Sequence, residues 1–432
     1  MPKVMSSPPD EAAMRMPPRR HENEGMSATS DRPTAPGERL IALDAVRGLA
    51  LFGILMVNAT LFFWPSYALG LGEPQPDGLL DQAAAWIMRF GFEGKFFTLF
   101  SLLFGIGVAM QLDRGWPVTR VVRRLLLLAA IGAAHVTLLW FGDILLYYGI
   151  LGLVLVLARR APPRRLVAWA VALLLVPIVL TAGLGALTSL AAGTPEGAAA
   201  IEQALGETRA GMRAELATAM SVYRGRDVAA MISARWAEYG FGLKGMLLNG
   251  MLLMIPAMFL LGAAAWRAGL VDGPDRERSW RRVLAWSLPP ALAANTVYAS
   301  THAFVDPVAF DGWAVLQVIV FVVGGISGAL AFAAGGALLL YDGLATTRAL
   351  ADVGRLALTN YLLQSLVMTT LALGYGLALF GRVGYAQAIG MGLVLYAFQL
   401  AASRWYLQRF RFGPVEWVWR ALTYGRAPSA PS

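Results

Sequence analysis

One histidine lies inside an apolar stretch, Ile131-Gly-Ala-Ala-His135-Val-Thr-Leu-Leu-Trp140. The other two histidines, His21 and His302, lie outside the interiors of apolar runs. An imidazole exchanges a proton near neutral pH, which makes His135 the strongest candidate for a general base. The alternative is a neutral ring that hydrogen bonds to a neighbouring helix, and the sequence leaves both open.

A carboxylate follows this histidine eight residues later, at Asp143 in the segment Trp140-Phe-Gly-Asp143. On one straight helix the two side chains would be about 12 Å apart along the axis. We therefore expect no contact within a single helix, although both residues could face one outer vestibule.

Asp44 and Arg47, near the start of the first apolar run, are three residues apart. On a helix they share a face and can pair. Arginine also forks onto phosphate or carboxylate, so an anion site is one interpretation and a neutralised anchoring pair is the other. Asn58 lies 11 residues beyond Arg47, about 16 Å further along a helix and thus in the outer half of the run.

Further polar residues mark the ends of other apolar runs. Glu93 and Lys95 open the second run, where a carboxylate near a helix start is favoured by the helix dipole. Gly105 and Gly107 in that run allow close approach of another helix. Arg355 begins a later run, in Gly354-Arg-Leu-Ala-Leu-Thr-Asn-Tyr361.

Composition indicates what kind of protein positions these residues. Apolar residues make up 57% of the 432 residues and charged residues 15%, whereas soluble domains contain about 25% charged residues. There are no cysteines and three histidines, which excludes disulfides, thiolate catalysis and a histidine-rich metal site. We predict an all-α, polytopic helical bundle in a lipid bilayer, with no nucleic-acid partner.

Ten apolar runs have lengths near the ~20 residues that a membrane-spanning helix needs. They lie near 42–64, 96–112, 125–141, 144–158, 166–190, 246–265, 283–300, 313–340, 357–380 and 385–406. With the N-terminus inside, the inner segments carry 27 Lys and Arg residues and the outer segments carry 9. This bias predicts ten spans with both termini in the cytoplasm.

The organisation follows from these runs. Residues 1–38 have the composition of a disordered cytoplasmic tail, and 425–432 form a second short tail. Two five-span halves, 39–190 and 246–424, flank an extracytoplasmic loop at 191–245. Stretches near 198–220 and 227–239 in this loop have the apolar spacing of two amphipathic surface helices.

Five motifs in order resemble known membrane proteins. The segment Arg39-Leu-Ile-Ala-Leu-Asp44-Ala-Val-Arg47-Gly48 resembles the first-span motif of membrane acyltransferases, a group that includes the acyltransferase-3 proteins and the heparan-glucosaminide N-acetyltransferases. The other four resemble the YeiB family, whose C-terminal part is the domain of unknown function 418. They are Glu93-Gly-Lys-Phe-Phe-Thr-Leu-Phe-Ser-Leu-Leu-Phe-Gly105, Trp140-Phe-Gly-Asp143-Ile-Leu, Gly354-Arg-Leu-Ala-Leu-Thr-Asn-Tyr361 and Gly413-Pro-Val-Glu-Trp-Val-Trp-Arg420.

The resemblance implies a multi-pass protein of the cell (inner) membrane that moves an acyl group from a cytoplasmic donor to an extracytoplasmic acceptor. The donor would be acyl-CoA, a substrate and not a bound cofactor, and the acceptor an envelope glycan or lipid. The acyltransferase-3 pattern has a histidine where this chain has Asn58, and an amide cannot act as a base at neutral pH. His135 would then be the base, with Asn58 orienting the substrate or stabilising an oxyanion.

The remaining candidates divide between the two substrates. Asp44, Arg47 and Arg355 would hold the donor's phosphates. Glu93, Lys95 and Asp143 would bind the acceptor outside.

Two functions of other classes stay open. A transporter would line a solute path with the same polar residues, although the sequence shows no inverted repeat of broken spans. A non-catalytic scaffold would use these residues only to hold helices together. Substrate identity and oligomeric state lie beyond the sequence.

Overall fold

The computed structural model describes residues 41–72, 74–271, 276–339 and 345–425, and every regular element in these ranges is a helix. The all-α prediction is confirmed. The first half of the chain contains α1 (Ile41–Leu61), α2 (Ser66–Gly70), α3 (Gly78–Gly91), α4 (Lys95–Asp113), α5 (Val118–Leu138), α6 (Leu145–Leu151), α7 (Leu153–Leu157) and α8 (Pro163–Ala191). The predicted tail at 1–38 and residues 426–432 lie outside the described residues.

The loop predicted at 191–245 contains two long helices, α9 (Pro195–Arg224) and α10 (Val228–Leu248), which extend the two predicted amphipathic stretches. The second half contains α11 (Met254–Arg267), α12 (Arg276–Thr301), α13 (Gly312–Leu339), α14 (Ala345–Arg355), α15 (Ala357–Ala372), α16 (Tyr385–Leu407) and α17 (Pro414–Tyr424). Prolines are tolerated within α8 and α12, as is common in membrane helices whose neighbours satisfy the freed backbone groups.

Six helical stretches in the described ranges are long and apolar enough to cross a membrane. They are α1, α3 joined to α4, α5, α8, α13 and α16. The pair α10 and α11 would form a seventh span, bent by 88° at the break between them. Gly250 lies in that break with a φ of 71°, a conformation that favours glycine. The protein is therefore a polytopic membrane protein, and the count of ten spans stays a prediction.

Glycines bring several helices into backbone contact, as expected where lipid offers little hydrophobic drive for helix association. A Cβ atom at Gly105 of α4 would overlap the carbonyl oxygen of Phe259 on α11, and one at Gly262 of α11 would overlap the carbonyl oxygen of Leu102. The prediction of close approach is confirmed for Gly105. It is wrong for Gly107, because a Cβ atom there meets no atom within 4 Å.

Two polar anchors, of which the second is buried, fix helix ends. Arg267, at the end of α11, donates to both carboxylate oxygens of Asp113, each at 3.0 Å, and to the carbonyl oxygen of Arg159 at 2.8 Å. Glu416 of α17 accepts from the backbone N–H groups of Leu358 and Thr359 at 2.7 and 3.0 Å. The Glu416 carboxylate thus satisfies backbone N–H groups that have no partner within the first turn of α15.

The two ends of the bundle can be defined by such contacts. At the end called here the Arg47 end, where α1 begins, Trp116 before α5 packs edge-on against Tyr424 of α17. At the opposite end, called the Trp64 end, the indole of Trp64 donates to the carbonyl oxygen of Val383 at 2.9 Å. α1, α5 and α15 therefore run from the Arg47 end toward the Trp64 end.

Candidate active site

His135 lies near the end of α5, because the helix stops at Leu138 and does not continue to 141 as predicted. The backbone N–H groups of Leu139 and Trp140 both bond to the His135 carbonyl oxygen, at 2.9 and 3.0 Å. The chain then turns through Phe141 and Gly142 and enters α6. This turn folds the residues after Trp140 back over the histidine.

The turn brings Asp143 onto His135. Asp143 Oδ2 is 2.8 Å from His135 Nδ1, and both side chains are fully buried. The separation of about 12 Å applies to one straight helix, and the two residues do not share one, because α5 ends at Leu138. Gly132 permits this approach, since a Cβ atom there would overlap the backbone nitrogen of Leu146.

A serine completes the arrangement from the other half of the chain. Ser365 Oγ, in the middle of α15, is 2.8 Å from His135 Nε2, and Ser365 is fully buried. Asp143 Oδ1 also accepts from the backbone N–H of Leu146 at 2.7 Å, which fixes the carboxylate. Asp143, His135 and Ser365 thus form one continuous hydrogen-bonded chain, called here the relay.

The relay determines which ring nitrogen carries the proton. A carboxylate can only accept a hydrogen bond, so His135 Nδ1 donates to Asp143. In the neutral ring Nε2 then has a free lone pair and accepts the hydroxyl proton of Ser365. A serine hydroxyl held against an imidazole that a carboxylate orients is the arrangement that activates oxygen nucleophiles in unrelated folds.

Helix α10 covers the relay on the Trp64 side. Arg235 donates to the carbonyl oxygen of Thr137 at 3.0 Å, and Trp236 donates to the Thr137 hydroxyl at 3.2 Å. Tyr239 stacks on Tyr147 with ring centroids 5.0 Å apart. Charged residues of an amphipathic surface helix should face water, yet Arg235 is only 3% exposed. α10 is therefore packed into the protein.

Helix α10 carries a second buried ionisable side chain, the carboxyl group of Glu238. Glu238 is 1% exposed, and its Oε2 accepts from the backbone N–H of Ser66 at 2.5 Å. Within the described ranges its Oε1 is buried with no hydrogen-bond partner. Near it, burial and then the charges of Glu215 and Glu238 raise the pKa of Tyr67 to about 12, so this phenol stays protonated at neutral pH.

Asn58 lies on α1, half-buried, one helical turn before Phe62. The ring of Phe62 packs on Trp140 at 4.2 Å between centroids, and Trp140 in turn meets the His135 ring edge at 6.5 Å. The buried indole nitrogen of Trp140 has no hydrogen-bond partner among the residues that the structure describes. Asn58 thus lies beside the wall of the site, with no described contact to His135.

Glu93 and Lys95 belong to a different cluster. Lys95 is 2% exposed and donates to the carbonyl oxygens of Arg89 and Glu93 at 2.8 and 2.7 Å, which caps the end of α3. Its aliphatic stem packs against α13 at Gly328. The structure does not bring Glu93 or Lys95 into contact with the relay.

The donor-side candidates lie at the Arg47 end. Arg47 pairs with Asp44 at 2.5 Å, as the three-residue spacing predicts. Arg355 lies 3.6 Å from Asp352, and its Nε is buried without a hydrogen-bond partner in the part of the chain that the structure describes. α14 lies directly on α1, because a Cβ atom at Gly354 would overlap the carbonyl oxygen of Asp44. Arg355 and Asp44 are therefore on neighbouring helices.

Sequence reasoning missed the part played by Ser365. A signal was present, since α15 carries several buried polar side chains in an apolar helix, at Asn360, Gln364, Ser365 and Thr369. Their spacing of four and five residues places them on one face. That face points into the protein, where the other polar side chains find hydrogen-bond partners of their own. Gln364, for example, donates to Gln399 at 2.8 Å.

No group of three His, Asp or Glu side chains in the described ranges is arranged to hold a metal ion.

Comparison with known proteins assigns the family. The profile of the family described as "Protein of unknown function (DUF418)" matches residues 265–426. The chain is 31% identical over 425 residues to the uncharacterized protein YxaH of Bacillus subtilis, covering 92% of this chain and 97% of that protein. It is 33% identical over 413 residues to the uncharacterized protein YeiB of Escherichia coli, covering 91% and 99%.

No solved structure matches the chain. The two relatives match nearly end to end, and the family profile covers the region that contains α15 and therefore Ser365. The chain belongs to the YeiB family of DUF418 membrane proteins.

Proposed function

We propose that this protein is a membrane acyltransferase in which Ser365 carries the acyl group between donor and acceptor. The observation that supports this is the relay: a serine hydroxyl at 2.8 Å from an imidazole that a carboxylate orients at 2.8 Å. A histidine that served only to link helices would need no buried carboxylate behind it. Burying a carboxylate is costly in a membrane, so its position argues for chemistry.

In the proposed reaction, Ser365 Oγ attacks the carbonyl carbon of an acyl thioester as its proton passes to His135 Nε2. The new C–O bond forms, the C–S bond breaks, and the proton moves to the departing thiolate. An acceptor hydroxyl then attacks the acyl-serine: a new bond forms between the acyl carbon and the acceptor oxygen, the acyl–Oγ bond breaks, and the acceptor's proton passes through His135 to Ser365 Oγ. Asp143 holds the ring in the reactive tautomer and stabilises the transient imidazolium.

The substrates follow from the resemblance to membrane acyltransferases. Acyl-CoA would enter from the cytoplasmic side of the inner membrane, with its phosphates on Arg47 and Arg355. An envelope glycan or lipid would accept the acyl group at the Trp64 end, and Asn58 would orient it or stabilise the oxyanion. We assign Asp143 to orienting His135 in place of binding the acceptor, because both carboxylate oxygens are engaged within the protein.

The test is covalent labelling of the purified protein in nanodiscs with a small membrane-permeant fluorophosphonate, which reacts with activated serines. We expect one adduct, on Ser365, that is lost in Ser365→Ala and in His135→Ala. Ser327→Ala is the matched control, because Ser327 is another serine in an apolar helix and bonds only to its own helix. An adduct that persists in Ser365→Ala would refute the assignment of the nucleophile.

A further inference from the structure

Three arginines from three different helices converge at the Arg47 end. Arg124 lies on α5, Arg420 on α17 and Arg47 on α1, and each is half-buried. The positive charges of both Arg420 and Arg47 act on Arg124. Like charges held together in a partly buried site repel one another, so the arrangement destabilises the fold unless an anion compensates it.

The described residues give little compensation. Arg47 pairs with Asp44 at 2.5 Å, but no described carboxylate forms an ion pair with Arg124 or Arg420. Glu416 is near Arg420, yet both its oxygens accept hydrogen bonds from the start of α15. Burial lowers the pKa of the Arg420 guanidinium although the charges of Glu416 and Asp44 act in the opposite direction, so these two carboxylates compensate the buried charge only in part.

Aromatic rings hold the two guanidinium groups in place. The Arg124 guanidinium carbon is 3.7 Å from the centre of the Trp419 ring, and the Trp419 indole donates to the Arg124 carbonyl oxygen at 3.0 Å. Arg420 lies 4.5 Å over Phe412. A guanidinium whose face rests on a ring keeps its N–H edge available for a planar or tetrahedral anion.

A neutral donor lies in the same cluster. Tyr424 interacts electrostatically with both Arg124 and Arg420. Its hydroxyl oxygen is buried and has no hydrogen-bond partner among the described residues. A buried hydroxyl without a partner costs free energy, and a bound anion beside the two arginines would satisfy it.

We propose that Arg124, Arg420 and Tyr424, with Arg47 beside them, form a binding site for a phosphate group. Several oxygens and more than one negative charge are needed to match two guanidinium forks with which no described carboxylate forms an ion pair, and a phosphate ester or diphosphate supplies them where a single carboxylate does not. The site is distinct from the relay, since Arg124 precedes His135 by 11 residues on α5, about 16 Å along the helix. The inference goes beyond acyl transfer, because anion binding here does not require Ser365 to be a nucleophile.

The phosphate could belong to a soluble molecule or to an anionic lipid, and the experiment separates the two sources. The full chain in phosphatidylcholine nanodiscs is titrated with inorganic pyrophosphate by calorimetry at constant ionic strength. In parallel, native mass spectrometry counts phosphatidylglycerol bound to protein released from mixed nanodiscs. Both are measured on wild type and on Arg124→Gln/Arg420→Gln.

The matched control is Arg114→Gln/Arg409→Gln. It removes the same charge from the same end of the bundle, at two exposed arginines that make no ion pair in the described ranges. Arg124→Lys/Arg420→Lys keeps the charge and removes the fork geometry.

We expect one probe to bind at least about tenfold more weakly to the Arg124→Gln/Arg420→Gln protein than to wild type, as the loss of charge-assisted bonds implies. The control should bind it within about twofold of wild type, since exposed charges contribute little. Loss of pyrophosphate binding indicates a soluble ligand, and loss of phosphatidylglycerol alone indicates a lipid. Equal weakening in both double variants, or no binding of either probe, would overturn the site. If Arg124→Gln/Arg420→Gln does not fold, the same titrations are made on Arg124→Lys/Arg420→Lys. Wild-type affinity of the lysine variant for both probes would then also overturn the proposed site.

Discussion

Replacing Asp143 by asparagine separates the chemistry of the relay from its structure. The amide oxygen can keep the hydrogen bond from Leu146 N that Asp143 Oδ1 accepts at 2.7 Å. The amide nitrogen, however, places a donor against His135 Nδ1, where the carboxylate presents an acceptor at 2.8 Å. His135 must then carry its proton on Nε2, and it can no longer accept the proton of Ser365.

The expected size of the effect follows from this change of tautomer. In serine hydrolases with the same three groups, the equivalent substitution lowers kcat about 10⁴-fold while the geometry stays intact. We expect the rate of fluorophosphonate labelling at Ser365 to fall by about 10³- to 10⁴-fold in Asp143→Asn. The assay is the time course of intact mass at several reagent concentrations.

Stability provides the internal control. Asp143→Ala leaves the donors of both His135 and Leu146 unpaired in a buried site, which costs about 1–3 kcal/mol for each donor. Asp143→Asn keeps the bond from Leu146 and replaces the other by one that the amide donates to His135 Nδ1, so it should lower the melting temperature less. If Asp143→Asn reacts within about threefold of the wild-type rate, His135 does not activate Ser365 and the reasoning fails.

Three further predictions concern packing, an ion pair and pH. Gly105→Ala should lower the melting temperature and cost about 1–3 kcal/mol of stability, because its Cβ would meet the backbone of Phe259. Gly107→Ala should leave the melting temperature unchanged, because a Cβ atom there lies in open space. Arg267→Lys should lose the two-pronged bond to Asp113 and about 1–3 kcal/mol of stability, and an unchanged melting temperature would contradict this. Burial and then the charge of Arg89 lower the pKa of His302 to about 4, so below pH 6.5 the unfolded state binds more protons and stability falls toward pH 4. His302→Gln should reduce this loss in melting scans from pH 7 to 4, and an identical acid profile would refute it.

The membrane architecture was accessible from sequence because lipid imposes a simple rule. Backbone groups in a bilayer must bond within a helix, so a run such as 166–190 has few alternatives to a span, and α8 occupies Pro163–Ala191. The exact ends of the helices were harder to predict from the sequence. α5 begins at Val118, seven residues before the predicted apolar run at 125–141, because arginines near a helix end can extend to the interface and need not terminate it.

The contact between His135 and Asp143 depended on where α5 ends. Straight-helix geometry kept the two apart, whereas the turn at Phe141 and Gly142 reverses the chain. The segment contained a hint, since an aspartate after a glycine is typical of a turn that leads into a new helix. His135 itself was identified from sequence because it is the one histidine within an apolar run.

Ser365 could not be assigned from spacing. It is 230 residues from His135 in the sequence, so only the packing of α15 against α5 joins them. Serine in an apolar helix usually bonds to its own backbone, as Ser327 does. The arginines at the Arg47 end show the same limit, because Arg124 and Arg420 come from distant helices and each alone resembles an ordinary positive residue at a membrane boundary.

The most direct test of the central claim is to trap the acyl group on the protein. Purified wild-type protein in nanodiscs is incubated with a series of acyl-CoAs of increasing chain length, quenched in acid and digested for peptide mass spectrometry. The account predicts that Ser365 gains the mass of the acyl group, that Ser365→Ala gains none, and that Ser327→Ala behaves as wild type. Acylation at any other residue, or none on Ser365 with every donor in the series, would contradict the account.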